Sequence, residues 1–394
     1  MSSTRPCNSK SVVTSLIGGV LLPLLLCSCA TVRTQQNFSE ELALSPGPGE
    51  LIEGVPGLTA DRANGGIAAM SSLFAFWKTP VLPRESENRL AAGTSSLLIP
   101  PEEVMTDLAD RRMLWTYAFY ATIEEVEARL EAGIPLLVMV QDRGDDSSTR
   151  RYMLVVGYIQ SAQKVLVHEG SSRPVVYDYG AFKRIWRPVR NWTLVVCPPD
   201  RITWPLNERE RVARARFYER TGQWTSALVD LDRLQAAQPG NINIMLAKAR
   251  VFQRAGNPTE AERQYRLALE LDPLNARAAN NLAYQMMNSG GDLAEAERWS
   301  RRALTIEPSN PSYLDTLGAI LLLRQRPAEA AAVLERALHR ADNLPPASRR
   351  EIQTRLIQAF VESNQTHLAR QIVDDIRRQD PRYVPPAQWR DVLK

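Results

Sequence analysis

The chain has 394 residues, enough for two or three domains, and its 44% hydrophobic and 23% charged residues exclude wholesale disorder. Its 48 basic and 44 acidic residues leave a formal net charge of only +4, which is too balanced to predict nucleic-acid binding, because such binding normally needs a clustered basic face. Four cysteines, three of them within the first 29 residues, and three histidines are too few for a disulfide framework or a zinc site. We therefore expect no metal, no cofactor and no nucleic-acid partner.

The N-terminus reads as a targeting signal. An apolar run from Val12 to Leu26 is short for a membrane span and suits the core of a signal peptide. The run leads to Ser28 and Cys29, which resemble the bacterial lipobox, where a small residue precedes the cysteine that is acylated. The resemblance implies a lipoprotein signal over residues 1–28, acylation of Cys29 and, because Ala30 follows, sorting to the outer membrane facing the periplasm. A plain secretory signal is the alternative.

Residues 29–49 have no apolar period and end in Pro46-Gly47-Pro48-Gly49. Proline and glycine at this density stop regular structure. We therefore predict a flexible tether over residues 29–49.

Residues 50–200 combine helical and strand patterns. Apolar residues at helical spacing predict helices over 65–78 and 123–132. Apolar runs bounded by turn signals predict strands over 135–141, 152–159, 164–168 and 192–197. Helices first and an antiparallel sheet afterwards indicate an α+β domain.

Four strings of this region, in the same order, resemble segments of the bacteriocin-processing, double-glycine cysteine peptidases, which are papain-like. The strings are Gly65–Met70, Gly133–Val138, Tyr152–Tyr158 and Val165–Glu169. The resemblance implies a papain-like fold, in which a cysteine at a helix start is the nucleophile and a histidine is the base.

The family's chemistry does not carry over onto this sequence. Asn64 stands at the position of the nucleophile, and an amide cannot ionise to a nucleophile; Arg151 stands at the position of the base, and a guanidinium stays protonated. Glu169 replaces the family's aspartate, and Leu58 replaces the glutamine of its oxyanion hole. The resemblance therefore implies a degenerate site, in which Asn64 faces Arg151 and Arg151 pairs with Glu169.

A cysteine peptidase with a displaced site is the alternative from a different functional class. It would need Cys197 and His168, which both end predicted strands, to lie close together. The competing interpretation is that Cys197 is an ordinary buried residue and His168 a strand-end residue.

The C-terminal half repeats itself every 34 or 35 residues. Pro239, Pro273 and Pro308 mark the period. Small residues recur at fixed distances before these prolines: Gly222, Gly256 and Gly290, and Ala227, Ala261 and Ala296. The pattern resembles the tetratricopeptide repeat and predicts an all-α solenoid of helix pairs. We place five units at 208–241, 242–275, 276–310, 311–344 and 350–383, with a cap over 384–394.

Stacked helix pairs leave a concave groove, and the resemblance implies that the groove binds a segment of another protein. The register predicts these groove-facing residues: Arg209, Arg216, Arg220, Arg250, Arg254, Asn280 and Tyr284, continuing to Asp315 and Leu322. A basic start and a more apolar continuation favour a peptide with an acidic end. The alternative is that the array only packs on the preceding domain.

These elements predict a membrane-anchored, non-catalytic lipoprotein that binds an unidentified protein or peptide during envelope protein export or assembly. Inactive copies of the peptidase domain dock substrates in some export transporters, so the resemblance implies docking. Besides the displaced peptidase, a purely structural role remains open, with the cleft filled by its own side chains.

Overall fold

The computed structural model describes residues 34–57, 65–79, 102–141, 150–169 and 174–390. Its contacts divide the chain into two compact units, Met1–Leu206 and Asn207–Lys394. Leu58 and Asn64 lie outside the described residues, as does Cys29. Within the described ranges, no helix combines the length and the apolar character that crossing a bilayer requires.

The first unit is organised by a seven-stranded antiparallel sheet with the main order β2-β7-β3-β4-β5-β6. The strands are β1 Gly49–Leu51, β2 Trp115–Tyr120, β3 Leu136–Gln141, β4 Arg150–Ile159, β5 Lys164–His168, β6 Pro174–Asp178 and β7 Trp192–Cys197. Strand β4 is the longest, and two short strands pair along the same edge of it: β3 with residues 150–155 and β1 with residues 157–159.

Helices accompany this sheet. They are α1 over residues 34–44, α2 Gly65–Phe76, α3 Glu102–Asp110, α4 Ile123–Glu131 and α5 Tyr179–Trp186. Helix α4 starts where the sequence predicts because Thr122 and Glu125 form a capping box, each side chain accepting a hydrogen bond from the other's backbone N–H. The antiparallel sheet with helices agrees with the predicted α+β class. Strands β1 and β2 precede the helix α4, so the order of helices first and sheet afterwards is wrong.

Residues 34–44 form a helix and residues 49–51 a strand, where a tether was predicted over residues 29–49. Phe38 of α1 is 2% exposed, and Glu41 forms an ion pair with Lys164 of β5. The Pro-Gly run that suggested a tether makes only the turn between α1 and β1. The sequence pattern was misleading because one apolar helical face with few residues gives a weak periodic signal, although burying it is favourable.

In the described residues 207–390, the second unit contains helices and no strand. Its ten α-helices form five antiparallel pairs: α6 Glu208–Arg220 with α7 Trp224–Ala237, α8 Ile242–Arg254 with α9 Pro258–Leu271, α10 Ala276–Asn288 with α11 Leu293–Ile306, α12 Pro311–Leu323 with α13 Pro327–His339, and α14 Pro346–Glu362 with α15 Thr366–Gln379. The fifth pair starts at Pro346, four residues before the predicted unit, because proline is well tolerated in the first turn of a helix.

Small residues lie at the helix crossings, as the repeat pattern predicts. The alanines at the repeated position are all fully buried: Ala227, Ala261, Ala296, Ala330 and Ala369. A Cβ at Gly318 would lie 2.5 Å from two side-chain atoms of Leu334. The helix pairs therefore approach too closely for larger side chains.

The same backbone conformation ends the first helix of every pair. Two residues after that helix, the backbone takes a left-handed conformation, at Gly222, Gly256 and Gly290 and then at Gln325 and Asn364. The next N–H bonds back into the last turn of the helix, as Gln223 N does to the Tyr218 carbonyl at 2.8 Å. The glycine signal thus fades in the last two repeats although the geometry persists.

Candidate functional site

A cavity of about 300 Å³ opens in the first part of the array. Residues of α6, α8 and α10, the first helices of three consecutive repeats, line most of it, together with Leu231 of α7. Its polar lining consists of Arg216, Glu219, Asn243, Arg250, Arg277 and Asn281. The repeats present these side chains together because successive first helices stack side by side.

An internal carboxylate engages part of the basic lining. Glu219, whose side chain is 9% exposed, accepts hydrogen bonds from Arg250 Nε at 2.5 Å and Arg250 Nη2 at 2.8 Å. Arg254 Nη1 lies 3.7 Å from the same carboxylate. The hydrogen bond to Glu219 raises the pKa of Arg250 further above its usual value. Two of the predicted groove arginines are therefore already paired within the array.

The other two cavity arginines lack such a carboxylate partner. Arg277 Nη2 donates to the Asn243 Oδ1 atom at 2.5 Å, a neutral acceptor. Arg216 is exposed, and no hydrogen bond or ion pair of its guanidinium is found in the part of the chain that the structure describes. With Asn281 beside them, these groups can receive a carboxylate through charge-assisted hydrogen bonds.

Only some of the predicted groove residues line the cavity. Arg216 and Arg250 line the cavity, whereas Arg209, Arg220 and Arg254 are exposed but do not line it. On α10, the residues Asn280 (7% exposed) and Tyr284 (41% exposed) likewise lie outside its lining.

Sequence reasoning missed Asn243, Arg277 and Asn281 as groove residues. Asn243 and Arg277 each stand at the second position of a predicted unit, the position that Arg209 holds in the first unit. Applying that position to every unit would have identified two of the three.

The continuing groove of the later repeats is internally paired. Asp315 Oδ2 accepts from Arg355 Nη1 at 2.5 Å. Burial raises the pKa of Asp315, and the Arg355 guanidinium opposes this shift. Leu322 is buried. The open cationic lining therefore belongs to the first three repeats.

Two of the four positions that the resemblance to the peptidases marked, Arg151 and Glu169, lie together. Arg151 Nη1 lies 2.7 Å from Glu169 Oε2, with 17% and 19% of the two side chains exposed, so the predicted pair is formed. Tyr177 Oη donates to the same carboxylate at 2.9 Å, and burial, followed by this hydrogen bond, raises the pKa of Tyr177. These three residues share one face of the sheet by register. That Asn64 faces Arg151 stays a prediction.

The alternative of a displaced peptidase site is wrong, because Cys197 and His168 do not lie close together. Strands β3 and β4 lie between β7 and β5, which separates the two strands by about 14 Å at the usual spacing. The register also places His168 level with Leu154 and Leu194, on the face opposite to Cys197. Burial raises the pKa of the Cys197 thiol and lowers the pKa of His168 to about 4. A buried thiol of raised pKa is a poor nucleophile.

No group of three or more histidine, cysteine, aspartate or glutamate side chains capable of holding a metal ion occurs within residues 34–57, 65–79, 102–141, 150–169 and 174–390.

Comparison with known proteins bears on the helical unit. Residues 246–311 match the tetratricopeptide repeat family. Among solved structures, the chain is similar to Pseudomonas aeruginosa pilF (24% identity, 42% of this chain and 73% of that chain, TM-score 0.38). It is also similar to BtubC of P. vanneervenii (20%, 45% and 82%, TM-score 0.40) and to a thermophilic repeat protein of Thermus thermophilus (17%, 45% and 93%, TM-score 0.37). No curated protein gives a significant match.

Proposed function

The C-terminal unit contains tetratricopeptide repeats, a scaffold for binding other proteins, and from this premise we propose a non-catalytic, membrane-anchored protein- or peptide-binding protein. Its main binding site is the cavity of the first three repeats. The observation that carries the proposal is the position of Arg216 and Arg277 in that cavity without a carboxylate partner for either guanidinium in the described residues.

The ligand class follows from the charge of the cavity. Three guanidiniums face one carboxylate, and Arg250 compensates that carboxylate, so two positive charges remain. The apolar lining consists of Val212, Ala215, Leu231, Leu246 and Ala247. An acidic side chain next to an apolar one would satisfy both kinds of lining.

The sheet unit supplies a second binding surface in this proposal. Its resemblance to the papain-like peptidases supports a cleft that docks a peptide. The ion pair between Arg151 and Glu169 supports a cleft that binds without cleaving. A guanidinium held by a carboxylate cannot accept a proton from a nucleophile. No observation in the described residues favours the peptidase alternative.

The membrane anchor rests on the sequence around Cys29. Acylation there would hold the protein at the outer membrane facing the periplasm, and a role in envelope protein export or assembly follows from that placement. Cys29→Ala should abolish the uptake of labelled palmitate and leave an unprocessed precursor. Equal labelling of the wild type and the variant would contradict the anchor.

A peptide-binding assay tests the groove directly. The probe is a fluorescein-labelled, C-terminally amidated peptide, Leu-Leu-Ala-Glu-Glu-Asp, and its counterpart carries lysines in place of the acidic residues. We expect the Arg216→Glu/Arg277→Glu double variant to bind the acidic peptide roughly tenfold more weakly or worse, since charge repulsion replaces attraction. Raising the salt concentration should also weaken wild-type binding.

The matched control is Arg209→Glu, an exposed arginine of α6 that does not line the cavity. It should bind within about twofold of the wild type, because exposed charges outside a site contribute little. Equal binding of the acidic and basic peptides, or unchanged binding by the double variant, would contradict the groove proposal.

A further inference from the structure

Helix α1 is seated firmly on the sheet unit although it directly follows the predicted signal and anchor. Phe38 is 2% exposed, and a Cβ placed on Gly157 of β4 would lie 3.1 Å from its ring. A Cβ on Gly49 would overlap with Leu42 Cδ1. The two glycines therefore form a seat that accepts α1 because they lack side chains.

Backbone hydrogen bonds continue this seat beyond the helix. Strand β1 pairs with residues 157–159 of β4. Gln160 N donates to the Pro48 carbonyl at 3.1 Å, and Ile52 N donates to the Val156 carbonyl at 2.8 Å. Together with the Glu41–Lys164 ion pair, these contacts hold the whole segment 34–52 on the sheet.

The seat sets the length of chain between the anchor and the folded unit. Only residues 30–33 separate Cys29 from Thr34, the first described residue of α1. Five Cα–Cα steps reach at most about 18 Å, whereas a tether running to Gly49 could reach about 70 Å. The chain segment between the anchor and the sheet unit is therefore short.

From this we infer that α1 holds the sheet unit against the lipid surface, within about 18 Å of the acylated cysteine. The inference rests on the acylation of Cys29 in the proposed function. The exposed residues of α1 are polar in its first two turns, with Gln36, Asn37 and Glu40, and apolar only at its end, with Ala43 and Leu44. Two apolar residues at one end are too few for the helix to insert along its length, so the unit lies on the headgroups, and a partner of the sheet unit has to be reached at the membrane surface.

Proteolysis of the full-length, lipidated protein on phosphatidylethanolamine–phosphatidylglycerol vesicles tests the seat. Endoproteinase Glu-C cleaves after glutamate, and mass spectrometry reports cleavage after Glu40 and Glu41. We expect the wild type to resist cleavage at these two sites, because a helix held in place does not fit an extended protease site. Phe38→Glu should raise the cleavage rate at least tenfold by placing a charge in the buried seat.

Two further variants serve as controls for this measurement. Leu44→Ser changes a residue of α1 that is 85% exposed, so the cleavage rate should stay at the wild-type value. Phe38→Leu keeps an apolar side chain in the seat and should retain most of the protection, which separates loss of docking from general unfolding.

Energy transfer measures the distance between α1 and the lipid surface. A donor dye on Gln36→Cys and an acceptor on the lipid headgroups should give strong transfer, since Cys197 is buried and leaves the dye at one position. Inserting twenty Gly-Ser residues before Thr34 should lower the transfer clearly, because such a linker adds roughly 25 Å of mean reach.

The outcomes separate the two proposals. A chain that takes up no labelled fatty acid overturns the anchor and this inference together. Two outcomes overturn the inference alone. In the first, the acylated chain is cleaved at Glu40 and Glu41 as fast as the Phe38→Glu variant. In the second, the inserted linker leaves the energy transfer of the acylated chain unchanged.

Discussion

The two units differ in how far apart in the chain their contacts lie. In the array, each helix packs mainly on the next one, and Ala261 at a crossing belongs to a core cluster formed by residues of its own repeat and the two that follow. In the sheet, Gly49 pairs with Ile159, and Trp115 pairs with Cys197. A local, repeated architecture tolerates damage repeat by repeat, whereas a sheet of distant strands is a single cooperative unit.

Some polar contacts of the two units also differ in kind. In the array, arginines and carboxylates link successive repeats, as in Glu219–Arg250 and Asp315–Arg355. In the sheet unit, buried phenols meet carboxylates: Tyr158 donates to Glu131 at 2.5 Å, and Tyr179 donates to Glu127. Ionic links are weakened by salt, whereas buried neutral groups respond to pH, because gaining or losing a proton would charge them.

The largest expected effect is the loss of a core ring from the sheet unit. Trp186 is fully buried in α5 and contacts Phe182. Trp186→Ala should destabilise by about 3–5 kcal/mol and unfold the whole sheet unit. Hydrogen exchange should speed up across all its strands while the array keeps its protection. Exchange confined to α5 would contradict the cooperative description.

Acid should destabilise the sheet unit through His168. Its side chain is 1% exposed, and both ring nitrogens lack a partner among the described residues. Burial lowers the pKa to about 4 from 6.5, so the unfolded chain binds the proton more readily. The contribution is complete above pH 6.5 and falls away as the pH drops towards 4, by roughly 3 kcal/mol in total. Urea unfolding from pH 7 to pH 4 measures it.

The control for that titration is His168→Phe, which cannot gain a proton. Its unfolding free energy should depend less on pH over the same interval. Equal slopes for the wild type and the variant would show that other groups cause the acid sensitivity.

Overfilling one helix crossing should damage the array only locally. Ala261 is fully buried between α8 and α9 and their neighbours, so Ala261→Trp should destabilise by roughly 1–3 kcal/mol or more. Hydrogen exchange should increase in the second repeat and the repeats beside it, while α14 and α15 stay protected. An unchanged melting temperature would mean that the repeat register is wrong.

The smallest expected effect comes from the left-handed turns. Gln325 and Asn364 have φ of 57° and 63°, where the other repeats have glycine. Gln325→Gly should stabilise by about 0.5–1 kcal/mol, because glycine adopts this conformation without steric cost. Gly256→Ala is the matched opposite change and should lower the melting temperature. A lower melting temperature for Gln325→Gly would indicate that its side chain contributes more than its backbone costs.

The sequence by itself determined the helical unit. Its period, its crossing alanines and its turn glycines are local signals, since each repeat must solve the same packing problem within 34 or 35 residues. The strands β3, β4, β5 and β7 were also readable, because they are buried on both faces and form short continuous apolar runs. The Arg151–Glu169 pair was predicted from the resemblance to the peptidases, which marked these two positions.

Only the tertiary structure decided the features that depend on partners far along the chain. The absence of a side chain at Gly157 leaves room for Phe38, so that the segment expected to be a tether packs on the sheet as helix α1. The carboxylate of Glu219 pairs with Arg250, whereas Arg216 and Arg277 line the same cavity without a carboxylate partner in the described residues. The order of strands keeps Cys197 away from any histidine on the sheet. Sequence patterns report which residues are buried, but the identity of the neighbour across a sheet or groove depends on chain segments that fold together from a distance.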